Sequence, residues 1–236
     1  MTTSETQFGG VIFDMDGCLV DSEPLCLSTI ADELHDLGLS DITARDIGER
    51  FLGVSIAKIE RFAVDRLGHA VPPGFASRIE DKLIGRYKSE LSRIKGADAL
   101  LRRLALDGLA LGLATGASVR RMCSTLEISQ LADHFGPRAV SVDHVNAGKP
   151  APDIFLEAAK RMKCDPSGCL VVEDSPLGVA GAVRAGMSPV GFVGGSHFKG
   201  REDRQAQTLI EAGAMQVFRD LDAVSDFVLR ASEVRR

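Results

Sequence analysis

Residues 9–23 read GGVIFDMDGCLVDSE. A glycine pair is followed by three apolar residues, Val11, Ile12 and Phe13, and the run stops at an acid, Asp14. Short apolar runs of this kind read as strands buried on both faces of a parallel sheet. Working outward, three more runs have the same look: Leu109 to Thr115, Cys169 to Asp174, and Ser188 to Val193. Helical patterns separate them over Ala97 to Leu106, Ser118 to Leu126, Asp153 to Met162 and Leu177 to Ala185, the last with a C-cap expected at Gly186. Strand and helix alternate, so the expected fold is α/β, a Rossmann-like, doubly wound parallel sheet.

One region breaks the rhythm. From about residue 20 to 91 the pattern is helical throughout, with Leu25, Ile30, Leu34 and Leu37 at helical spacing and breakers at Gly38, Gly53, Gly68 and Pro72-Pro73. A helical domain inserted after the first strand is therefore expected, with residues 1–19 and 92–236 forming the core and 20–91 the insertion. The glycine-rich, charged stretch Gly194 to Arg204 reads as a surface loop before a further helix.

With 236 residues and 44% apolar content, the chain can close a substantial core. A formal net charge of -5 argues against nucleic acid or anionic lipid as partner, since either would want clustered Lys and Arg. Five scattered cysteines, Cys18, Cys26, Cys123, Cys164 and Cys169, make no C-x-x-C pair, which suggests neither a disulfide framework nor a zinc site and points to a cytoplasmic setting. No apolar stretch approaches the ~20 residues of a membrane helix, and MTTSETQ does not read as a signal peptide. A monomer is the expected state.

In an open α/β sheet the ligand lies beyond the C-terminal ends of the strands. Polar groups fall at three of those ends here: Asp14-Met15-Asp16, Thr115-Gly116 and Glu173-Asp174, with Lys149-Pro150 ahead of a helix. Several carboxylates beside a phosphate monoester would repel it. A Mg²⁺ ion on hard oxygen ligands, with the ammonium of Lys149, offsets that repulsion. Asp14 and Asp16, two residues apart, leave an extended chain on the same face and can address opposite ends of one P–O bond. Asp14 is then a candidate nucleophile and Asp16 a candidate acid/base. Two acids at a strand end are often only a solvated turn, a lone lysine is usually surface, and a strand-end threonine usually serves the backbone. A calcium loop competes poorly, because Gly17 stands fourth in it and not sixth. The five histidines, His35, His69, His134, His144 and His197, show no metal-ligand spacing and read as surface or loop residues.

FDMDGCLVDSE (Phe13 to Glu23) resembles the first signature of the haloacid dehalogenase superfamily, in the branch of β-phosphoglucomutase, phosphoglycolate phosphatase and 6-phosphogluconate phosphatase. LATGAS (Leu113 to Ser118), GKPAPDIF (Gly148 to Phe155) and VVEDSPLGVAGAVRAGM (Val171 to Met187) resemble the second, third and fourth. The resemblance implies Asp14 as nucleophile and metal ligand, Asp16 as acid/base whose carbonyl also binds Mg²⁺, and Asp174 as the other carboxylate ligand, with Glu173 acting through a ligand water. It implies that Thr115 and the amides of Gly116 and Ala117 hold phosphoryl oxygens and that Lys149 bridges Asp14 and phosphate. The insertion would be the family's small cap, with Gly53, Val54 and Ser55 as a substrate-contacting turn near Arg45, Arg50, Lys58 and Arg61.

Asp16 speaks against a haloacid dehalogenase or phosphonatase, which lack that second aspartate. A β-phosphoglucomutase would want a histidine and an arginine where Cys26 and Ile56 stand, so water is the expected phosphoryl acceptor. Asp21-Ser22-Glu23 and Cys26 look most like 6-phosphogluconate phosphatases, which makes Ser22, Glu23 and Cys26 candidate substrate contacts. A non-catalytic metabolite sensor on this fold would be expected to lose the nucleophile or a metal ligand, and neither is missing.

Overall fold

The computed structural model describes residues 8–51 and 56–233. They form two compact units, one of the residues up to Asp21 and from Arg93 onward, the other Ser22–Ser92. The first opens with β1 (Gly10–Phe13). The second holds α1 (Glu23–Asp36), α2 (Ala44–Phe51), α3 (Ile56–Leu67) and α4 (Phe75–Glu90). Then come α5 (Ala97–Leu106), β2 (Ala110–Thr115), α6 (Val119–Ile128), α7 (Ala132–Phe135), β3 (Ala139–Ser141), α8 (Asp153–Met162), β4 (Cys169–Glu173), α9 (Pro176–Arg184), β5 (Ser188–Phe192), α10 (Glu202–Glu211), β6 (Val217–Phe218) and α11 (Leu221–Glu233).

The strands pair in the order β3-β2-β1-β4-β5-β6, all parallel. β1 is therefore flanked by strands that follow it on either side, and the chain changes direction across the sheet between β1 and β4. Such a switch point leaves a crevice beyond the strand ends. The four runs read from sequence are β1, β2, β4 and β5, and the C-cap position of α9 is followed by Gly186 at φ +73°. β3 and β6 are additions.

Helix α8 shows why the core closes. Ile154, Phe155, Ala158, Ala159 and Met162 are buried at helical spacing, with Asp153 in the first turn and Lys160 and Arg161 in the last, as the helix dipole favours. Met162 fills space left by glycines in the sheet. A Cβ added to Gly112 would lie 2.3 Å from its Sδ, and one on Gly10 2.4 Å from its Cε. Larger residues at either position would lift the helix off β1 and β2.

In the second unit, Ile30 and Leu34 of α1 and Ile79, Leu83 and Tyr87 of α4 are buried. Glu33, also buried, accepts from Arg78 and Lys82 at 2.6 Å each. Arg86 donates to Ser28 Oγ and Thr29 Oγ1 at 2.8 and 2.9 Å. No helix among the described residues is long and apolar enough to cross a membrane.

Candidate active site

β1 delivers Asp14, whose amide donates to the Val172 carbonyl of β4 at 2.9 Å. The chain then doubles back, with Gly17 N–H on Val20 O at 2.9 Å and Leu19 N–H on Met15 O at 3.0 Å. Gly17 adopts φ +78°, and a Cβ there would fall 2.0 Å from Asp174 Oδ2. Only glycine lets this turn lie against the end of β4.

β4 ends in Glu173, followed by Asp174 and Ser175. The Ser175 amide and hydroxyl donate to Glu173 Oε2 at 3.1 and 3.2 Å, while its oxygen accepts from Gly178 N–H at 3.0 Å and so caps α9. Lys149 joins the two strand ends: its Nζ donates to Asp14 Oδ1 at 2.6 Å and also to Glu173 Oε1. The side chains of Lys149, Asp14, Glu173 and Asp174 are each at most 9% exposed. Burial pushes the Asp14 carboxyl well above the usual range; Lys149 opposes the shift, and Glu173 and Asp174 add to it. Burial also raises Asp174, helped by Glu173. For Lys149, burial works against its charge, but Asp14 and Glu173 outweigh it and hold the ammonium above the ordinary lysine range. Three acids thus face one committed cation.

At the end of β2, Thr115 Oγ1 accepts from Ala117 N–H at 3.1 Å, and Ser141 Oγ donates to Ala117 O at 2.6 Å. Ser118 caps α6 by accepting from Arg121 N–H at 3.1 Å, and Val119 N–H donates to Asp143 Oδ2 at 2.8 Å. The turn holding Thr115, Gly116 and Ala117 therefore leads directly into a helix N-terminus, where backbone N–H groups favour an anion.

Asp14, Cys18 and Asp174, all buried, offer ligand atoms within 4.8 Å of one another. The two carboxylates suit a hard divalent cation, whereas the thiol does not. Cys18 instead donates to Val172 O at 3.9 Å, and burial, then Asp174, raises its thiol pKa. The donor set therefore fits Mg²⁺ through its oxygens.

Not every residue singled out from sequence joins this group. The Asp16 side chain pairs with Arg121, Nη2 to Oδ2 at 3.3 Å. Glu173 accepts from Lys149 and Ser175. Ser22, Glu23 and Cys26 belong to the helical unit, Ser22 buried at the α1 N-cap position and the other two part-buried. Gly53, Val54 and Ser55 lie outside the described residues. Sequence reasoning did not name Arg121, took Cys18 only as one of five scattered cysteines and read His197 as a surface or loop residue. His197 is a correction: its side chain is only 2% exposed, with Nε2 3.3 Å from Asp174 Oδ2 and the ring against Phe198. The stretch Gly194 to Arg204 is more than a surface loop, since Ser196 N–H also donates to Asp21 Oδ1 at 3.0 Å. From α10, Gln205 Nε2 donates to Asp174 O at 2.8 Å.

A model of the haloacid dehalogenase-like hydrolases matches residues 8–186. A stretch of 103 residues is 40% identical to the bifunctional riboflavin kinase/FMN phosphatase of Arabidopsis thaliana, covering 42% of this chain and 27% of that protein, so the chain spans about a quarter of it. Over 190 residues it is 33% identical to the probable pseudouridine-5'-phosphatase of Drosophila melanogaster, covering 76% of this chain and 79% of that one. The 6-phosphogluconate phosphatase of Escherichia coli is 28% identical, with 80% and 84% covered. Among solved structures, a conserved haloacid dehalogenase-like protein of unknown function from Agrobacterium tumefaciens superposes with a TM-score of 0.78 at 29% identity, covering 94% of this chain and 98% of that one.

Proposed function

The chain belongs to the haloacid dehalogenase-like hydrolase family and is a phosphatase, and from that premise we propose that it hydrolyses a phosphorylated sugar or sugar acid through an aspartyl-phosphate on Asp14. The observation that carries the reading is the buried set of Asp14, Lys149, Glu173 and Asp174 across the β1/β4 switch point.

In this reading Asp14 attacks phosphorus; a bond forms between its carboxylate oxygen and phosphorus as the bond to the leaving oxygen breaks. Asp16 gives that oxygen its proton, and the alcohol departs. Water then attacks the acyl phosphate, returns a proton to Asp16 and releases inorganic phosphate with Asp14 restored. Lys149 holds Asp14 in place and neutralises charge that builds on the phosphoryl oxygens. Thr115 and the amides of Gly116 and Ala117 cradle those oxygens at the start of α6. Asp14 and Asp174 would hold Mg²⁺, with the Asp16 carbonyl as a further donor. When bound, the ion supplies Lewis-acid polarisation and charge neutralisation. Glu173 fixes Lys149 from the other side and is itself fixed by Ser175.

The test is hydrolysis of p-nitrophenyl phosphate with and without Mg²⁺, followed by a panel of sugar phosphates, 6-phosphogluconate and phosphoglycolate ranked by kcat/KM. Asp14→Asn is expected to abolish turnover on all of them. A fully active Asp14→Asn protein would refute the reading.

A further inference from the structure

We propose that Gln205 is a positioning residue that holds Asp174 in place for the divalent cation; this rests on the reading of Asp174 as a metal ligand. Asp174 stands just past the last register pair of β4 with β5, Glu173 with Gly191, so the sheet ladder no longer fixes its peptide. Two hydrogen bonds take over, one at each end of the peptide group that joins Asp174 to Ser175. The Asp174 carbonyl accepts from Gln205 Nε2 at 2.8 Å, and the Ser175 N–H donates to Glu173 Oε2 at 3.1 Å. Gln205 comes from α10, whereas Glu173 is the residue before, with Lys149 on its other oxygen. The carboxylate of Asp174 is itself enclosed: a Cβ on Gly17 would fall 2.0 Å from Oδ2, and His197 Nε2 lies 3.3 Å from the same oxygen.

With the Gly17 turn and the His197 ring so close, the Asp174 side chain has little room to make up for a rotation of its peptide. Such a rotation therefore shifts the ligand oxygen relative to Asp14. Mg²⁺ accepts little departure from octahedral geometry, so a displaced ligand weakens its binding. Hydrogen-bond partners that orient metal ligands typically account for about tenfold to a hundredfold in metal affinity. Gln205 suits this part because it is half-buried, while the buried residue of α10 is Leu209. Methionine at position 205, a chain of comparable reach, removes the donor and leaves the apolar contact of the helix at Leu209 in place. The carbonyl it abandons belongs to a residue only 5% exposed.

The test is Mg²⁺ binding to the metal-free protein, by isothermal titration calorimetry, for wild type, Gln205→Met and Gln207→Met. Gln207 is exposed on the same helix and donates to Glu211, so its variant removes a glutamine amide from the solvent side of α10. Gln205→Met is expected to weaken Mg²⁺ about tenfold, and at least about threefold, while Gln207→Met binds as wild type does. The stoichiometry of the titration reports the folded fraction separately from the affinity, so a less stable variant still gives a clear result. In hydrolysis of p-nitrophenyl phosphate, the Mg²⁺ concentration giving half the maximal rate should rise by a similar factor, with kcat at saturating Mg²⁺ kept within about threefold. Equal Mg²⁺ affinity in wild type and Gln205→Met, or the same loss in Gln207→Met, would overturn the proposal while leaving the phosphatase reading intact. A wild type that binds no Mg²⁺ would overturn it together with the reading of Asp174 as a ligand.

Discussion

Replacing Lys149 with methionine keeps the unbranched side chain up to its Cε and removes the ammonium and its charge. In the wild type the ammonium lies 2.6 Å from Asp14 Oδ1 and bonds Glu173 as well, with all three side chains buried. Removing one partner of such a buried pair typically costs about 3–5 kcal/mol, because the remaining charge has neither water nor counter-ion. The carboxylates limit the damage by taking up a proton, and the direction of the pH effect follows from that. Asp14 and Asp174 already have carboxyl pKa values raised by burial. A group raised in the folded state contributes stability that is fully present below its unfolded pKa, ~4 for aspartate, and is lost as pH rises through the folded value. Loss of Lys149 lifts Asp14 further. The deficit of Lys149→Met relative to wild type should therefore be largest at neutral and alkaline pH and shrink toward pH ~4. Thermal unfolding of the metal-free proteins between those limits, followed by circular dichroism, measures it; on the order of 10 °C is expected near neutrality. A deficit equal at both ends, or one below about 1 kcal/mol at neutral pH, would refute the argument that this lysine compensates buried charge.

Gly178→Ala places a Cβ 1.9 Å from Glu173 Oε1, in a site where Glu173 has no exposed surface to move into. Overpacking of this kind costs about 1–3 kcal/mol, and because Glu173 holds Lys149, hydrolysis of p-nitrophenyl phosphate should fall with stability; an unaltered enzyme would contradict the packing. Alkylation by iodoacetamide should reach Cys123, which is exposed, well before Cys18 and Cys169, which are buried. Burial pushes the Cys169 thiol up to about 12 and raises Cys18 as well, so peptide mapping that found either labelled ahead of Cys123 would contradict the described core.

The elements legible in the sequence share one physical property. β1, β2, β4 and β5 are almost wholly buried, and a strand buried on both faces must be a continuous apolar run. β3 and β6, with three and two residues, are too short to leave such a run, and neighbouring strands supply their pairing. The site divides in a similar way. Asp14, Lys149, Glu173 and Asp174 stand within local signatures, so each was visible from its neighbours in the chain. Arg121 and His197 acquire their meaning only from residues far away in sequence. An arginine in the first turn of a helix pattern looks like any surface charge, and His197, in a glycine-rich charged stretch, looks like a loop. No local pattern records that one meets Asp16 and the other Asp174.

That division has a cause in the topology. Because the sheet runs β3-β2-β1-β4-β5-β6, the ends of β1 and β4 are neighbours, and the carboxylates they carry are forced together whatever the rest of the chain does. Forced proximity of like charges must be offset within the fold. Lys149 does so for Asp14 and Glu173, Arg121 for Asp16, and His197 lies against Asp174. These partners come from the segments that follow β2, β3 and β5, the strands around β1 and β4. The acids are thus set by the strands, and the groups that restrain them arrive from the connections. Such a site keeps its carboxylates fixed without neutralising them fully, and the charge left over is what a divalent cation would complete before a phosphate dianion could approach.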